Sequence, residues 1–311
     1  MIIREYNMIK YEDLTIQDLS TKRQRPMYLS DYTKFRESLS MKDYPRDPHA
    51  YTEHFLEQID KWINSHEMCR YVGLEDFQYR DAILGTTQFL DELHYHHKNE
   101  IVVIEGEYKY HRRLTDCSVQ ETVGKYNILP GNAFIVSYPS CMTTSTIEDF
   151  TDILDHCYEI GVPVHIDGAW FGMCRNFEFD VRHPAIQSVA VSLSKSLGLG
   201  SQRIGIRYTR NKQVGPISVM NDFRYANVSD MWLGVEFMKE FGTDHLWKKY
   251  GQLYSKVCKD FDLIELDAIH IAKGKDGEGY GIRTPLRMLI DGIYDIRGTN
   301  KGLNEVELNE K

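Results

Sequence analysis

The middle of the chain alternates between segments with helical spacing of apolar residues and short, continuous apolar runs. Helical spacing covers residues 48–66, 89–97 and 146–160. Apolar runs of strand length lie at residues 101–104, 133–137, 162–166, 188–193 and 203–208. Near-continuous apolar strands separated by helices are typical of a parallel sheet that is covered on both faces. The pattern therefore predicts an α/β protein with a mainly parallel sheet.

The pattern changes near residue 215. Beyond it, helical spacing covers residues 231–241 and 245–261, and a glycine-rich stretch from Gly274 to Gly281 is expected to form a hairpin or a loop. We therefore predict three parts: an N-terminal segment (1–60), a large domain (61–215) and a reduced C-terminal domain (216–311), on which the N-terminal segment packs.

Charge and cysteine spacing exclude several classes of function. The chain has 37 basic and 46 acidic residues, and this net charge of −9 disfavours a surface for nucleic acid or anionic membranes. The six cysteines form no C-x-x-C pair, which excludes zinc-ribbon and thioredoxin-type motifs. The chain starts without the apolar run of a signal peptide and contains no long apolar stretch. We therefore expect a cytoplasmic protein without a membrane span.

Residues that could carry chemistry follow the predicted strands, where open α/β sheets bind their ligands. They include an aromatic residue, a carboxylate, a lysine, an arginine and a small-residue helix start, at Tyr108, Asp167, Trp170, Ser192, Lys195, Arg203 and Gly85–Thr87. A lysine amine forms a Schiff base with an aldehyde cofactor, and a carboxylate opposite a ring nitrogen keeps a pyridinium protonated. A helix N-terminus binds phosphate through its N–H groups, and an arginine adds positive charge. Together these residues predict a pyridoxal 5'-phosphate site.

Two segments resemble motifs of a known family. The sequence SLSKSLGLGSQRIG, from Ser192 to Gly205, resembles the signature S-x-x-K-x-x-G-x-x-x-x-R-x-G of fold-type I pyridoxal-phosphate enzymes, the aspartate aminotransferase (class I/II aminotransferase) family. Upstream of it, HIDGAW from His165 to Trp170 resembles that family's D-x-A-[YW] segment. The resemblance covers roughly residues 44–210. It implies a three-layer α/β large domain with a mainly parallel sheet and a reduced second domain.

The resemblance implies a role for each matching residue. Lys195 would hold the cofactor as a Schiff base and then move a proton, and Asp167, supported from behind by His111, would pair with the pyridine nitrogen. The other cofactor contacts would come from Gly85, Thr86, Thr87, Ser192 and Arg203 at the phosphate, Tyr108 stacked on the ring and Trp170 near the ring hydroxyl. Tyr44 resembles a tyrosine that reaches a phosphate in the neighbouring subunit. This implies a homodimer with shared active sites.

The sequence departs from the family in two places. The segment N-P-x-x-P-T-G is missing, and in the sequence that replaces it either Tyr138 or Cys141 could lie near the ring hydroxyl. The chain after Lys195 is short, so the arginine that binds the substrate carboxylate is uncertain in position. Arg287, expected at a strand edge, is the first candidate and Arg283 the second. The alternative for Arg287 is an ion pair with an acid such as Asp291.

A cluster of histidines at His94, His96 and His97 suggests a metal site. However, the spacing does not put two histidine ligands at i and i+4 beside an acid. We therefore expect these side chains on a solvated helix face, and we predict no metal.

The implied function is transamination between an amino acid and a 2-oxo acid. A lyase, a decarboxylase or an oxidase on the same scaffold is the alternative among enzymes. A protein that binds pyridoxal phosphate without turnover is an alternative of another class. The shortened C-terminal part favours that alternative, and the intact set Lys195, Asp167 and Arg203 disfavours it.

Overall fold

The computed structural model describes residues 10–19, 27–47, 49–114, 120–122, 127–140, 147 and 149–292. The α-helices of this part are α1 (Ser30–Ser38), α2 (Tyr51–Asn64), α3 (Gly85–His97), α4 (Phe150–Glu159), α5 (Pro216–Asp222), α6 (Val228–Phe241), α7 (His245–Asp260) and α8 (Arg283–Asp291). Short 3-10 helices lie at Tyr11–Asp13, Ile16–Asp18, Met41–Asp43, Leu74–Asp76, Lys98–Glu100 and His111–Arg113.

The strands form one large sheet and two small ones. In chain order they are β1 (Cys69–Val72), β2 (Tyr79–Ile83), β3 (Ile101–Ile104), β4 (Gln120–Thr122), β5 (Ala133–Ser137), β6 (Val164–Gly168), β7 (Phe177–Asp180), β8 (Ile186–Ser192), β9 (Gly205–Thr209), β10 (Ile264–Glu265), β11 (Ile271–Lys273) and β12 (Gly279–Gly281). The large sheet of the described residues has the order β2-β9-β8-β6-β5-β3-β4. Strand β9 runs antiparallel to both of its neighbours, whereas the other neighbouring strands are parallel. This confirms the predicted mainly parallel sheet.

Helices cover both faces of the large sheet because its strands are apolar on both sides. On β5, Ile135 packs in a cluster with Phe89 and Leu93 of α3. The neighbouring Phe134 and Val136 belong to the larger cluster on the opposite face, which includes residues of α2, α4 and α6. The result is the three-layer α/β architecture that the sequence predicts.

The C-terminal part combines helices with a small antiparallel sheet. Strands β10, β11 and β12 pair in that order, and the glycine-rich stretch forms the hairpin between β11 and β12. The N-terminal segment packs here: the Tyr11 hydroxyl donates to Asp260 (2.8 Å) and the Ser30 hydroxyl to Asp291 (2.6 Å). The domain boundaries themselves stay a prediction.

The expected strand edge around Arg287 is wrong, because residues Arg283–Asp291 form helix α8. Leu286 of this helix is fully buried and Met288 nearly so. The spacing of these apolar residues fits a helix that packs one face on the core. Among the described helices, none combines the length and the apolar character that crossing a bilayer requires.

Candidate active site

Asp167 lies at the carboxyl end of β6, in register with Ser137 of β5 and Ala190 of β8. Its side chain is only 2% exposed. It accepts a hydrogen bond from the amide of Ala169 (2.9 Å) and another from the Thr86 hydroxyl. Burial raises the pKa of Asp167 to about 7, and the nearby charge of Glu107 adds to this effect. The site therefore contains a desolvated carboxyl group that a cationic partner would stabilise.

Glu107 follows β3 and is a second buried acid at this edge of the sheet. Its carboxylate accepts hydrogen bonds from the amides of Tyr108 and Ser137 and from the Ser137 hydroxyl, all at 2.7 Å. Glu107 is not among the site residues predicted from the sequence. The signal was present, since Glu107 follows a predicted strand, but Glu105 follows it equally and the pattern does not separate them.

The N-terminus of α3 lies against the guanidinium group of Arg203. Arg203 donates to the Thr87 hydroxyl oxygen and to the carbonyl oxygen of Gly200 (3.4 Å). A Cβ atom on Gly85, whose φ is +70°, would lie 2.8 Å from a guanidinium nitrogen. Only glycine leaves room for this approach without strain. The positive helix end and the arginine together form a site with the charge for a phosphate group.

Lys195 lies near Asp167, in the segment that follows β8. Its Nζ is 4.9 Å from the ring centroid of Trp170, two residues beyond the end of β6. The Trp170 ring stacks on the imidazole of His270 with 4.1 Å between centroids. His270 comes from the loop before β11, and the sequence analysis missed it, because no motif or spacing connects it with Trp170.

The described contacts of Ser192 are within the protein. Its hydroxyl oxygen lies 2.7 Å from that of Ser194 and accepts a hydrogen bond from the Ser194 amide (3.1 Å). It also lies 3.3 Å from the carbonyl oxygen of Ile204. Ser192 therefore connects the segment that carries Lys195 to the start of β9.

Two of the three predicted site tyrosines, Tyr108 and Tyr44, differ in their surroundings. Tyr108 is 45% exposed and its ring stacks on Tyr110, with 5.6 Å between centroids. Tyr44 packs edge-on against Trp232 of α6 and its hydroxyl lies 3.4 Å from that of Ser229 in the same chain. Tyr108 thus offers an accessible aromatic face, whereas Tyr44 has an intramolecular environment.

Tyr138 directs its ring into the core. The ring packs against Phe150 and Phe179, both at 4.6 Å between centroids, and against Phe177 at 5.1 Å. The backbone amide of Tyr138 donates to the carbonyl oxygen of Asp167 (3.1 Å). This arrangement disfavours a cofactor contact from the Tyr138 side chain. Cys141, the alternative, lies outside the described residues.

The histidine predictions need correction. His94 is buried rather than on a solvated face, and its Nε2 lies 3.0 Å from Nδ1 of the buried His111. His111 therefore pairs with His94 and makes no described hydrogen bond to Asp167. The neighbouring charge that raises the pKa of Asp167 is that of the Glu107 carboxylate. The histidine spacing could not predict this contact, because His94 of α3 meets a residue of the chain segment that follows β3. Among the described residues, no group of histidines, cysteines or acids could hold a metal ion.

Arg287 is paired within its own helix, as the alternative interpretation expects. Its Nε lies 3.9 Å from a carboxylate oxygen of Asp291, whose side chain is fully buried. Arg283 begins α8 directly after the β12 strand. The two arginines therefore differ by one helical turn, and only Arg287 has an acid at i+4.

Comparisons with known proteins were consistent at the level of the fold. The tyrosine aminotransferase of Leishmania infantum superposes with a TM-score of 0.56 at 13% sequence identity, covering 94% of this chain and 100% of that one. The chain has the aminotransferase fold. The same fold is found in the aromatic aminotransferase of Pyrococcus horikoshii, with a TM-score of 0.54 at 12% identity over 81% of this chain and 77% of that one. It is also found in an aspartate aminotransferase double mutant of Thermus thermophilus, with a TM-score of 0.52 at 13% identity over 82% of this chain and 77% of that one. No family model and no curated protein matches the sequence.

Proposed function

We propose that this protein is a pyridoxal-phosphate-dependent aminotransferase that acts on an amino acid and a 2-oxo acid. The observation that carries the proposal is the convergence of buried Asp167, Lys195 and Arg203 on one edge of the sheet. In open α/β sheets this edge is the usual place for a ligand. The shared fold supports the same function.

The residues fit pyridoxal phosphate at its ring nitrogen and at its phosphate group. Asp167 needs a cationic partner, because burial raises its pKa to about 7, and a protonated ring nitrogen is such a partner. Arg203 and the first turn of α3 offer positive charge and N–H donors for the phosphate, and Gly85 leaves the room that the Arg203 guanidinium needs against this turn. Tyr108 offers an exposed aromatic face for the ring.

The chain's own groups then have defined tasks. When bound, the cofactor supplies an electron-withdrawing ring that takes up the electron pair of the substrate's broken Cα–H bond. Lys195 Nζ would be the amine that holds the cofactor, and it would also be the base that moves the Cα proton. Asp167 keeps the proton on the ring nitrogen. Thr86 and the Ala169 amide fix the Asp167 carboxyl group through hydrogen bonds.

For the substrate carboxylate we favour Arg283 over Arg287. A carboxylate binds best to a planar guanidinium that offers two N–H donors. Asp291 lies close to Arg287 and offsets its charge.

An exposed apolar patch supports the expected homodimer. The patch consists of Val214, Val219, Phe223 and Tyr225, in and around α5. Val214 is 83% and Tyr225 75% exposed, and the rings of Phe223 and Tyr225 stack on each other. Clusters of this kind commonly mark protein interfaces, and α5 packs on α3, whose first turn belongs to the phosphate site. A second copy on this patch would adjoin the active site, and sedimentation should give the mass of a dimer.

The experiment that tests the function is a half-reaction followed by absorbance. The protein is loaded with pyridoxal phosphate, mixed with single amino acids, and scanned for conversion to the pyridoxamine form. We expect conversion with at least one amino acid and its reversal by a 2-oxo acid. Release of carbon dioxide or ammonia without the pyridoxamine form would instead indicate a decarboxylase or a lyase. Cofactor binding without any response would indicate a protein without turnover.

A further inference from the structure

His270 is a buried histidine of the C-terminal part that reaches the candidate active site at Trp170 and Lys195. Its side chain is 3% exposed, and its ring lies nearly parallel to the Trp170 indole at an interplanar angle of 13°. Both of its ring nitrogens are buried and have no hydrogen-bond partner within the described part of the chain. Stacking on Trp170 explains the position of the imidazole ring, but it does not explain why a ring with two polar nitrogens is buried there.

Buried polar groups in proteins are nearly always hydrogen-bonded, because leaving one without a partner costs about 1–3 kcal/mol. A phenylalanine at position 270 would stack on Trp170 without this cost. The nitrogens of His270 therefore indicate a hydrogen-bonding partner that binds in the active site.

The place of His270 indicates which ligand this is. The groups suited to the cofactor come from the large sheet and α3, namely Asp167, Arg203 and Lys195. His270 comes from the C-terminal part and stacks on Trp170, whose ring centroid lies 4.9 Å from Lys195 Nζ. The amino group of a substrate amino acid must approach Lys195, so its side chain extends toward the residues around this amine.

We propose that His270 is a substrate-contacting residue, whose imidazole hydrogen-bonds an uncharged polar group on the side chain of the amino acid substrate. This inference rests on the proposed function. It adds a substrate class: amino acids whose side chain carries a hydroxyl or a carboxamide.

The charge state of His270 sets this chemistry. Burial, and then the charge of Lys195, lower the pKa of His270 to about 3. At neutral pH the ring is therefore uncharged, with one nitrogen as a donor and the other as an acceptor. Such a ring pairs well with a hydroxyl or a carboxamide, and it offers no positive charge to a side-chain carboxylate.

The test compares His270→Phe with a matched control, His245→Phe, in the loaded enzyme. Phenylalanine keeps the stack on Trp170 and removes only the nitrogens. His245 also has a buried Nε2 without a described partner and packs against aromatic rings, those of Phe241 and Tyr250, at the start of α7. The half-reaction is measured with tyrosine, phenylalanine, glutamine and glutamate.

We expect the wild type to prefer tyrosine or glutamine over glutamate. His270→Phe should raise the KM for the preferred amino acid about 10-fold, which is the size of one lost hydrogen bond. It should leave the KM for phenylalanine, the kcat values and the cofactor absorbance within about twofold of the wild type. His245→Phe should change none of these values.

A second readout does not depend on turnover. In ¹⁵N-histidine-labelled enzyme, the His270 ring signals are assigned by their loss in His270→Phe. They should shift with the α-methyl analogue of the preferred amino acid, which has no α-proton to lose, and not with that of phenylalanine. An unchanged KM together with unshifted signals, or a preference for glutamate, would overturn the role of His270 alone. A wild type that converts none of the four amino acids would overturn this inference, and failure across a wider amino acid panel would overturn the proposed function as well.

Discussion

The buried carboxyl group of Asp167 makes a prediction about stability that is independent of catalysis. Folding raises its pKa from an ordinary value of 3.8 to about 7, chiefly through burial. The folded protein therefore binds more protons than the unfolded chain between these two pH values. By linkage, the cofactor-free protein loses stability as the pH rises through this window, and the loss is complete above about pH 7.

The size of the effect follows from the two pKa values. Raising the pKa from 3.8 to about 7 corresponds to about 4 kcal/mol, as an upper estimate. Asp167→Asn keeps the shape and can still accept the hydrogen bonds of Thr86 and Ala169, but it cannot ionise. We expect the cofactor-free variant to match the wild type at pH 5 within about 2 kcal/mol and to exceed it by several kcal/mol at pH 8.

The assay is urea unfolding of both cofactor-free proteins at pH 5, 6.5 and 8, followed by circular dichroism. Saturating pyridoxal phosphate should reduce or reverse the advantage of the variant, because the ring nitrogen then partners the wild-type carboxylate. If Asp167→Asn were no more stable than the wild type at pH 8, Asp167 would not be a desolvated acid, and its pairing with a pyridinium would lose its physical basis.

Four further substitutions test other parts of the site and fold. Gly85→Ala should lower the free energy of unfolding in urea by about 1–2 kcal/mol, because residue 85 has a positive φ. It should also weaken pyridoxal phosphate binding, since the new Cβ crowds Arg203, and an unchanged affinity would contradict the phosphate site. Asp244→Asn should destabilise the protein at neutral pH and make its stability depend less on pH in acid. Burial raises the pKa of Asp244, but hydrogen bonds from His66, Glu67 and Met68 lower it overall to about 2, so the stability that the carboxylate contributes is lost only as the pH falls toward 2. Arg283→Lys should raise the KM for the amino acid without changing the cofactor absorbance, and Arg287→Lys should not; the reverse result would identify Arg287 as the carboxylate ligand.

Short-range patterns were sufficient to predict most of the large domain. The runs at residues 101–104 and 133–137 became strands with the predicted bounds, because β-branched residues that are buried on both faces leave few alternatives to a strand. Helix α8 was missed because the short apolar runs on either side of Arg287 are also compatible with a strand. Proline is tolerated in the first turn of a helix, which is where Pro285 lies.

The parts of the site that sequence reasoning missed depend on long-range packing. Glu107 and His94 are defined by contacts with residues on other elements, and His270 reaches Trp170 from the C-terminal part. Hydrophobic spacing reports which face of an element is buried, but not which polar groups meet there. The domain boundaries and the cytoplasmic location stay predictions.

The central claim is that Lys195 binds pyridoxal phosphate covalently. The most direct measurement is borohydride reduction of the loaded protein, followed by proteolysis and mass spectrometry. We expect the cofactor on the peptide that contains Lys195, its loss in a folded Lys195→Ala variant, and its retention in Lys212→Ala, which removes an exposed lysine. A cofactor fixed to another lysine, or one that is still fixed in Lys195→Ala, would contradict the account.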